Sequence, residues 1–219
     1  MSPRPVCHYL PPRPLARLRG VAIALLAATL LAGCSHLDQI ERFDVEAEYL
    51  GLENKTIAVF VSADEFLLYR HPQVQDKVGR VIAGRLQENL DGARLMHPNQ
   101  VAAYQKDNPY WQTMMYSQLI ERVGTDAIVL VDIVNYQLHE PGNRWEKRGS
   151  ITANVGVIEA NAPDADDFTY FNTVSNVFPE DLEYGIIDEE DSAIELGLLT
   201  LFSRDAAGLF YDHTVERKR

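Results

Sequence analysis

Cysteine is almost missing from this chain: there are two in 219 residues, Cys7 and Cys34. A disulfide framework or a cysteine-based zinc site needs more than that. Basic residues are scarce as well. Twenty Lys and Arg face 32 Asp and Glu, for a net charge of −12. Such a surface repels phosphate backbones, so no nucleic-acid partner is expected. A membrane-spanning helix needs roughly 20 apolar residues, and the run from Val21 to Leu31 stops at 11. The chain also has no His-Glu-x-x-His, no Gly-x-Ser-x-Gly and no glycine-rich phosphate loop. His36, His71, His97, His139 and His213 stand singly, whereas metal ligands come in spaced groups. No catalytic residue and no metal site is expected, and the chain reads as a non-enzyme.

What is present begins at the N-terminus. Arg13, Arg17 and Arg19 lead into the apolar run, which ends in Leu31-Ala32-Gly33-Cys34. A basic lead, a short apolar stretch and small residues before a cut site make a secretory signal. With the Cys at the cut, the pattern resembles the lipobox of bacterial lipoproteins. That resemblance implies cleavage between Gly33 and Cys34. It also implies a diacylglycerol and an N-acyl chain on Cys34, with no other cofactor. Several acyl chains together anchor stably where one does not. Ser35 favours the outer membrane by the same resemblance. Removing residues 1–33 takes away four Arg and no acid, so a mature chain of 186 residues keeps 16 basic against 32 acidic residues. That length suits one domain. Cys34 would be its only thiol, and lipid would occupy it.

Residues 34–55 read as the acylated Cys and a tether, 56–213 as a single globular domain, and 214–219 as a basic tail. Thr56 to Ser62 is apolar on both sides, the mark of a central strand. From Gln73 to Leu90, Val74, Val78, Val81, Ile82 and Leu86 fall on one helical face. Gly79 and Gly84 inside it suggest close approach to a sheet. Ala93 to Met96 reads as a short strand and Pro98 to Gln105 as a helical turn or two. Thr113 to Val123 reads as a helix stopped by Gly124. Ala127 to Val134 is the most apolar mature stretch and reads as a strand continuing to His139. Pro141-Gly142-Asn143 turns it back into Gly149 to Ala160, and Phe168 to Phe178 follows as an edge strand. The last helix runs from Asp188 or Ser192 to Tyr211, with Ser192-Ala-Ile-Glu195 as a capping box. This order predicts an α+β fold: a mixed sheet of four to five strands with a long β-hairpin, packed by two to three helices.

The Lys55-Thr-Ile-Ala-Val-Phe strand, the helix Val74 to Leu90, the phrase Gly124-Thr-Asp-Ala-Ile-Val-Leu-Val before a long hairpin, and the closing helix resemble a domain of known envelope proteins. These are the curli-secretion lipoprotein, the N-terminal domain of the Tol-system translocation protein, and the lipoprotein activators of penicillin-binding proteins. Their fold is similar to an anticodon-binding domain. The resemblance implies scaffolding or binding, with no catalytic residue to carry over. The hairpin here has a charged tip and no continuous lipid-facing apolar row, so no pore is expected.

Several constellations are candidates for contact. Trp145 at the hairpin tip, flanked by Arg144 and Lys147, suits a partner or an interfacial anchor. Tyr110 and Trp111 lie in an aromatic and Met-rich segment with Tyr104, Met114, Met115 and Tyr116, residue types that anchor interfaces or fill cores. Gly149 to Ser203 holds twelve acids and no Lys or Arg, read either as a docking face or as solvated loops and helix-terminal charge. Asp132, inside an apolar strand, needs a polar partner or marks the strand's exit from the core. The leading expectation is a lipid-anchored envelope module that binds another envelope protein or itself. The alternatives are a periplasmic hydrolase, which a cleft joining two of the histidines to a carboxylate would favour, and an auxiliary lipoprotein of a transport or secretion system.

Overall fold

Alternating side chains build one sheet with two unequal faces. The computed structural model describes residues 40–218 apart from Pro141, Asp181, Glu183 and Tyr184. Cys34 and Gly33 lie outside the described residues. The elements are β1 (Ile40–Val45), β2 (Thr56–Ala63), α1 (Glu65–Arg70), α2 (Val74–Asn89), β3 (Arg94–Leu95), α3 (Pro98–Asp107), a 3-10 turn (Trp111–Thr113), α4 (Tyr116–Val123), β4 (Ala127–Glu140), β5 (Asn143–Glu159), β6 (Tyr170–Phe178), α5 (Asp191–Gly208) and β7 (His213–Lys218). A five-stranded sheet runs β3-β2-β4-β5-β6. β2 pairs in parallel with β3 and β4, and β4, β5 and β6 pair antiparallel. The predicted α+β class, the mixed sheet and the long hairpin are all present. Among the described residues there are five α-helices rather than two or three.

On the first face, Ile57, Val59, Val61, Val129, Val131, Ile133, Ile151, Ala153 and Val155 are buried. They form one core with Val78, Ile82 and Leu86 of α2 and Leu198, Phe202 and Ala206 of α5. Each fully buried Val, Leu, Ile or Phe is worth about 1.5–3 kcal/mol. Gly79 lets α2 come close: a Cβ there would sit 3.3 Å from the Val61 side chain. The second face holds a smaller core of Ala58, Phe60, Ile128 and Ile158 under Val101 of α3, Trp111, and Leu119 and Ile120 of α4. Gly124 ends α4 with φ +74°, its N–H donating to the Ile120 carbonyl.

Four expectations differ from what the chain does. Residues 40–55, read as tether, contain β1 and a fully buried Leu52. Residues 214–218, read as a tail, belong to β7, which pairs with β1 as a separate two-stranded sheet. Pairing between chain ends is non-local and leaves no period in either segment. The helix expected from Thr113 begins at Tyr116, because Trp111–Thr113 takes the tighter turn first. Ser192 does not cap α5. Its hydroxyl donates to Glu190, and Glu195 instead bonds Lys77 and the Tyr136 hydroxyl. Among the described residues, 40–43 with 215–218 form one unit and 44–214 a second. The five-stranded sheet belongs to the second.

Candidate functional site

The second face of the sheet is covered at one end and open at the other, and the register shows where cover stops. Phe60, Leu130, Gly156 and Phe171 lie side by side across β2, β4, β5 and β6. Two residues further along, Ser62, Asp132, Asn154 and Thr173 form the next row. The first row is apolar and the second polar. The Ser62 hydroxyl donates to Asp132 Oδ1 at 2.6 Å, and Thr173 Oγ1 donates to Asn154 Oδ1 at 2.9 Å.

Leu130, Gly156 and Phe171 of the first row and Ser62, Asp132 and Asn154 of the second form the floor of an open groove of about 490 Å³. Its walls are Trp111 and Gln112 of the 3-10 turn, Tyr116 and Leu119 of α4, Asp64 after β2, and Phe168. The aromatic rings pack in sequence. Trp111 lies 5.1 Å from Phe60, Phe168 lies 5.1 Å from Tyr116, and Phe171 lies 5.4 Å from Phe168. Gly156 makes room for this: a Cβ there would come within 2.4 Å of the Phe168 ring. Asp166 fastens the wall. It accepts from the Ser117 N–H at 2.9 Å and so caps α4, whose own N-cap residue offers no side-chain bond. That bond holds the Asp166 carboxyl below the usual range. Burial, followed by the carboxylates of Asp167 and Asp132, pushes the Tyr116 phenol up.

The residues expected to matter fall in different places. Asp132 is exposed at the groove floor, on the second face, while its neighbours Val131 and Ile133 stay buried on the first. Trp111 is buried, so it is a wall of the groove rather than part of an exposed patch; any partner would reach it through the groove. Its neighbour Tyr110 is 77% exposed. Trp145 is 69% exposed on β5, in the same strand as Arg144. Lys147 points back to the body, pairing with Asp191 and lying 2.9 Å from His139 Nε2. Asp164 and Asp167 each accept a neighbouring loop N–H. Phe168, Phe171, Leu130 and Gly156 were not singled out from the sequence. The signal was available in the alternation of β4 and β5 but needed the hairpin register to be read.

A second cleft of about 500 Å³ brings His71 and His139 together with Glu140, Arg70 and Asn143. His71 caps the end of α1 and lies against the Tyr136 ring, 4.9 Å away. Burial, and then the Arg70 charge, lowers its pKa. His139 Nε2 lies 2.9 Å from the Lys147 ammonium and 3.3 Å from the Asp191 carboxylate. His97 is elsewhere, capping α3, and His213 lies beside Tyr211. Among the described residues no three His, Cys, Asp or Glu side chains group to hold a metal ion.

No family model matches the chain, and no curated protein matches it. Among solved structures it is similar to the PelC dodecamer from Paraburkholderia phytofirmans, at 8% identity and a TM-score of 0.46 over 79% of this chain and 99% of that one. It is also similar to lipoprotein GNA1162 from Neisseria meningitidis, at 11% identity and a TM-score of 0.45 over 69% and 97%. A third likeness is to protein XCC0632 from Xanthomonas campestris, at 9% identity and a TM-score of 0.35 over 74% and 83%.

Proposed function

We propose that this chain is a lipid-anchored binding module of a bacterial cell envelope, working by contact and without catalysis. Acyl chains on Cys34 hold it to the membrane, with Ser35 directing it to the outer one, and the groove on the sheet's open face receives a partner protein. One observation carries the reading: aromatic rings line a preformed open groove in a chain whose N-terminus has every element of a lipoprotein signal. Preformed, mostly apolar concavities with a few placed polar groups are the common form of binding sites. The order of strands and helices also supports kinship with the curli-secretion and Tol-type domains.

Two experiments test this. Cys34→Ala should move the protein from the membrane pellet to the soluble fraction. A photo-reactive phenylalanine analogue in place of Phe171, in the full lipidated chain, should crosslink a discrete envelope protein. The same analogue in place of Arg80, exposed on α2 and on the other side of the sheet, should not. Equal crosslinking from both positions, or none from Phe171, rejects the groove as the contact.

The hydrolase reading keeps one observation in its favour, the cleft that joins His71 and His139 to a carboxylate. Against it, His139 Nε2 is already engaged within the fold by the Lys147 ammonium and the Asp191 carboxylate. An ester or peptide hydrolysis activity that disappears in His139→Gln would reverse the preference.

A further inference from the structure

The side chains of this groove select a charge as well as a shape. Two of its thirteen lining residues, Asp64 and Asp132, are carboxylates, and none is Lys, Arg or His. Each carboxylate uses Oδ1 in the fold: Asp64 accepts from the Leu67 N–H at 2.7 Å, and Asp132 accepts from Ser62. Among the described residues Oδ2 of neither makes a hydrogen bond. The rim adds Asp166 and Asp167, next to Phe168 in a loop without a basic residue. The rings of Trp111, Tyr116, Phe168 and Phe171 border the same space. Where the face of an aromatic ring borders such a space, its quadrupole attracts a cation within about 6 Å of the ring centre. A neutral apolar ligand would gain nothing from the carboxylates, and an anion would be repelled by them. Long basic side chains satisfy both halves of the groove, with methylenes against rings and a charged head beside Asp132.

Resting on the partner-binding reading above, we infer that the groove takes a lysine or arginine side chain from a basic segment of the partner protein. Arginine suits it best, since a planar guanidinium stacks on rings and donates in a fork to a carboxylate. Asp166, bonded to the Ser117 N–H beside the groove wall, and Asp167 next to Phe168 then add negative field that draws a basic segment toward the groove.

The chain carries its own reporter. It has two tryptophans, so Trp145→Phe leaves Trp111 in the groove wall as the sole emitter. Full-length lipidated Trp145→Phe protein in a non-ionic detergent is titrated with an acetylated peptide of alternating arginine and glycine. A matching peptide with citrulline, the neutral isostere of arginine, is the control. The arginine peptide should shift Trp111 emission saturably. The citrulline peptide should bind about tenfold more weakly or worse, as loss of a desolvated cation–π and charge contact implies. Asp132→Asn, which keeps the shape and an acceptor for Ser62, should weaken the arginine peptide several-fold with unchanged circular dichroism. Binding should also fall as salt rises from about 0.05 to 0.5 M, where exposed charges are screened. Equal affinity for both peptides, or no emission change with either, overturns the inference. Crosslinking from Phe171 that survives high salt and Asp132→Asn would also overturn it, while leaving the groove as a partner site.

Discussion

At the scale of single residues, the groove depends on what Gly156 lacks. Phe168 rests where its Cβ would be, at 2.4 Å, so Gly156→Ala must swing the ring out or bend β5. The expected cost is about 1–3 kcal/mol, as for other small-to-large changes in packed sites, read as a lower urea midpoint with unchanged slope. A change below about 0.5 kcal/mol would mean that the ring is not held there. Trp111 shows how residue type can mislead. Aromatics and Met around Pro109 suited either an interface or a core. The packing divides them, with Trp111 against Phe60 and Tyr110 out in solvent. Nothing in the local sequence separates two adjacent aromatic residues, because their directions depend on the turn at Trp111–Thr113.

At the scale of elements, strands and long helices were legible because their periods are local. The valines and leucines of α2 recur at helical spacing, and β2 from Ile57 to Val61 and β4 from Ala127 to Val131 are continuous apolar runs. α1 was not legible: six residues with a single buried side chain, Leu67, leave no stripe. α4 depends on a distant residue. Its Ser117 N–H donates to Asp166, 49 positions along the chain. Asp166→Ala should therefore speed hydrogen exchange at Ser117 and its neighbours while leaving the amides of α2 and α5 unchanged. Equal protection of Ser117 in both proteins would show that water replaces the carboxylate without consequence.

At the scale of the whole molecule, titration bounds the stability. His71 is held below its ordinary pKa of 6.5 by burial, so its contribution is present above that pH. It is lost as acid protonates the unfolded chain first. Tyr136 and Tyr49 are pushed well above 10 by burial and by hydrogen bonds to Glu195 and Glu159, and Tyr170 to about 12. Their contribution is present below pH 10 and is lost as the pH rises beyond it. The melting temperature should accordingly be highest between about pH 6.5 and 10 and fall on either side. Tyr136→Phe should flatten the alkaline limb; a wild-type curve level from pH 9 to 12 contradicts the assignment. The compact unit 44–214 contains the whole five-stranded sheet. A chain ending at Thr214 should unfold in one transition within a few degrees of the full chain, and loss of that transition would show that β7 is essential. The sequence by itself determined the fold class, because alternating apolar strands and helical stripes are read within a few adjacent residues. Tertiary structure alone decided that Leu130, Asp132, Gly156, Phe168 and Phe171 share one groove. They come from separate segments, and only the strand register, a non-local set of hydrogen bonds, brings them side by side.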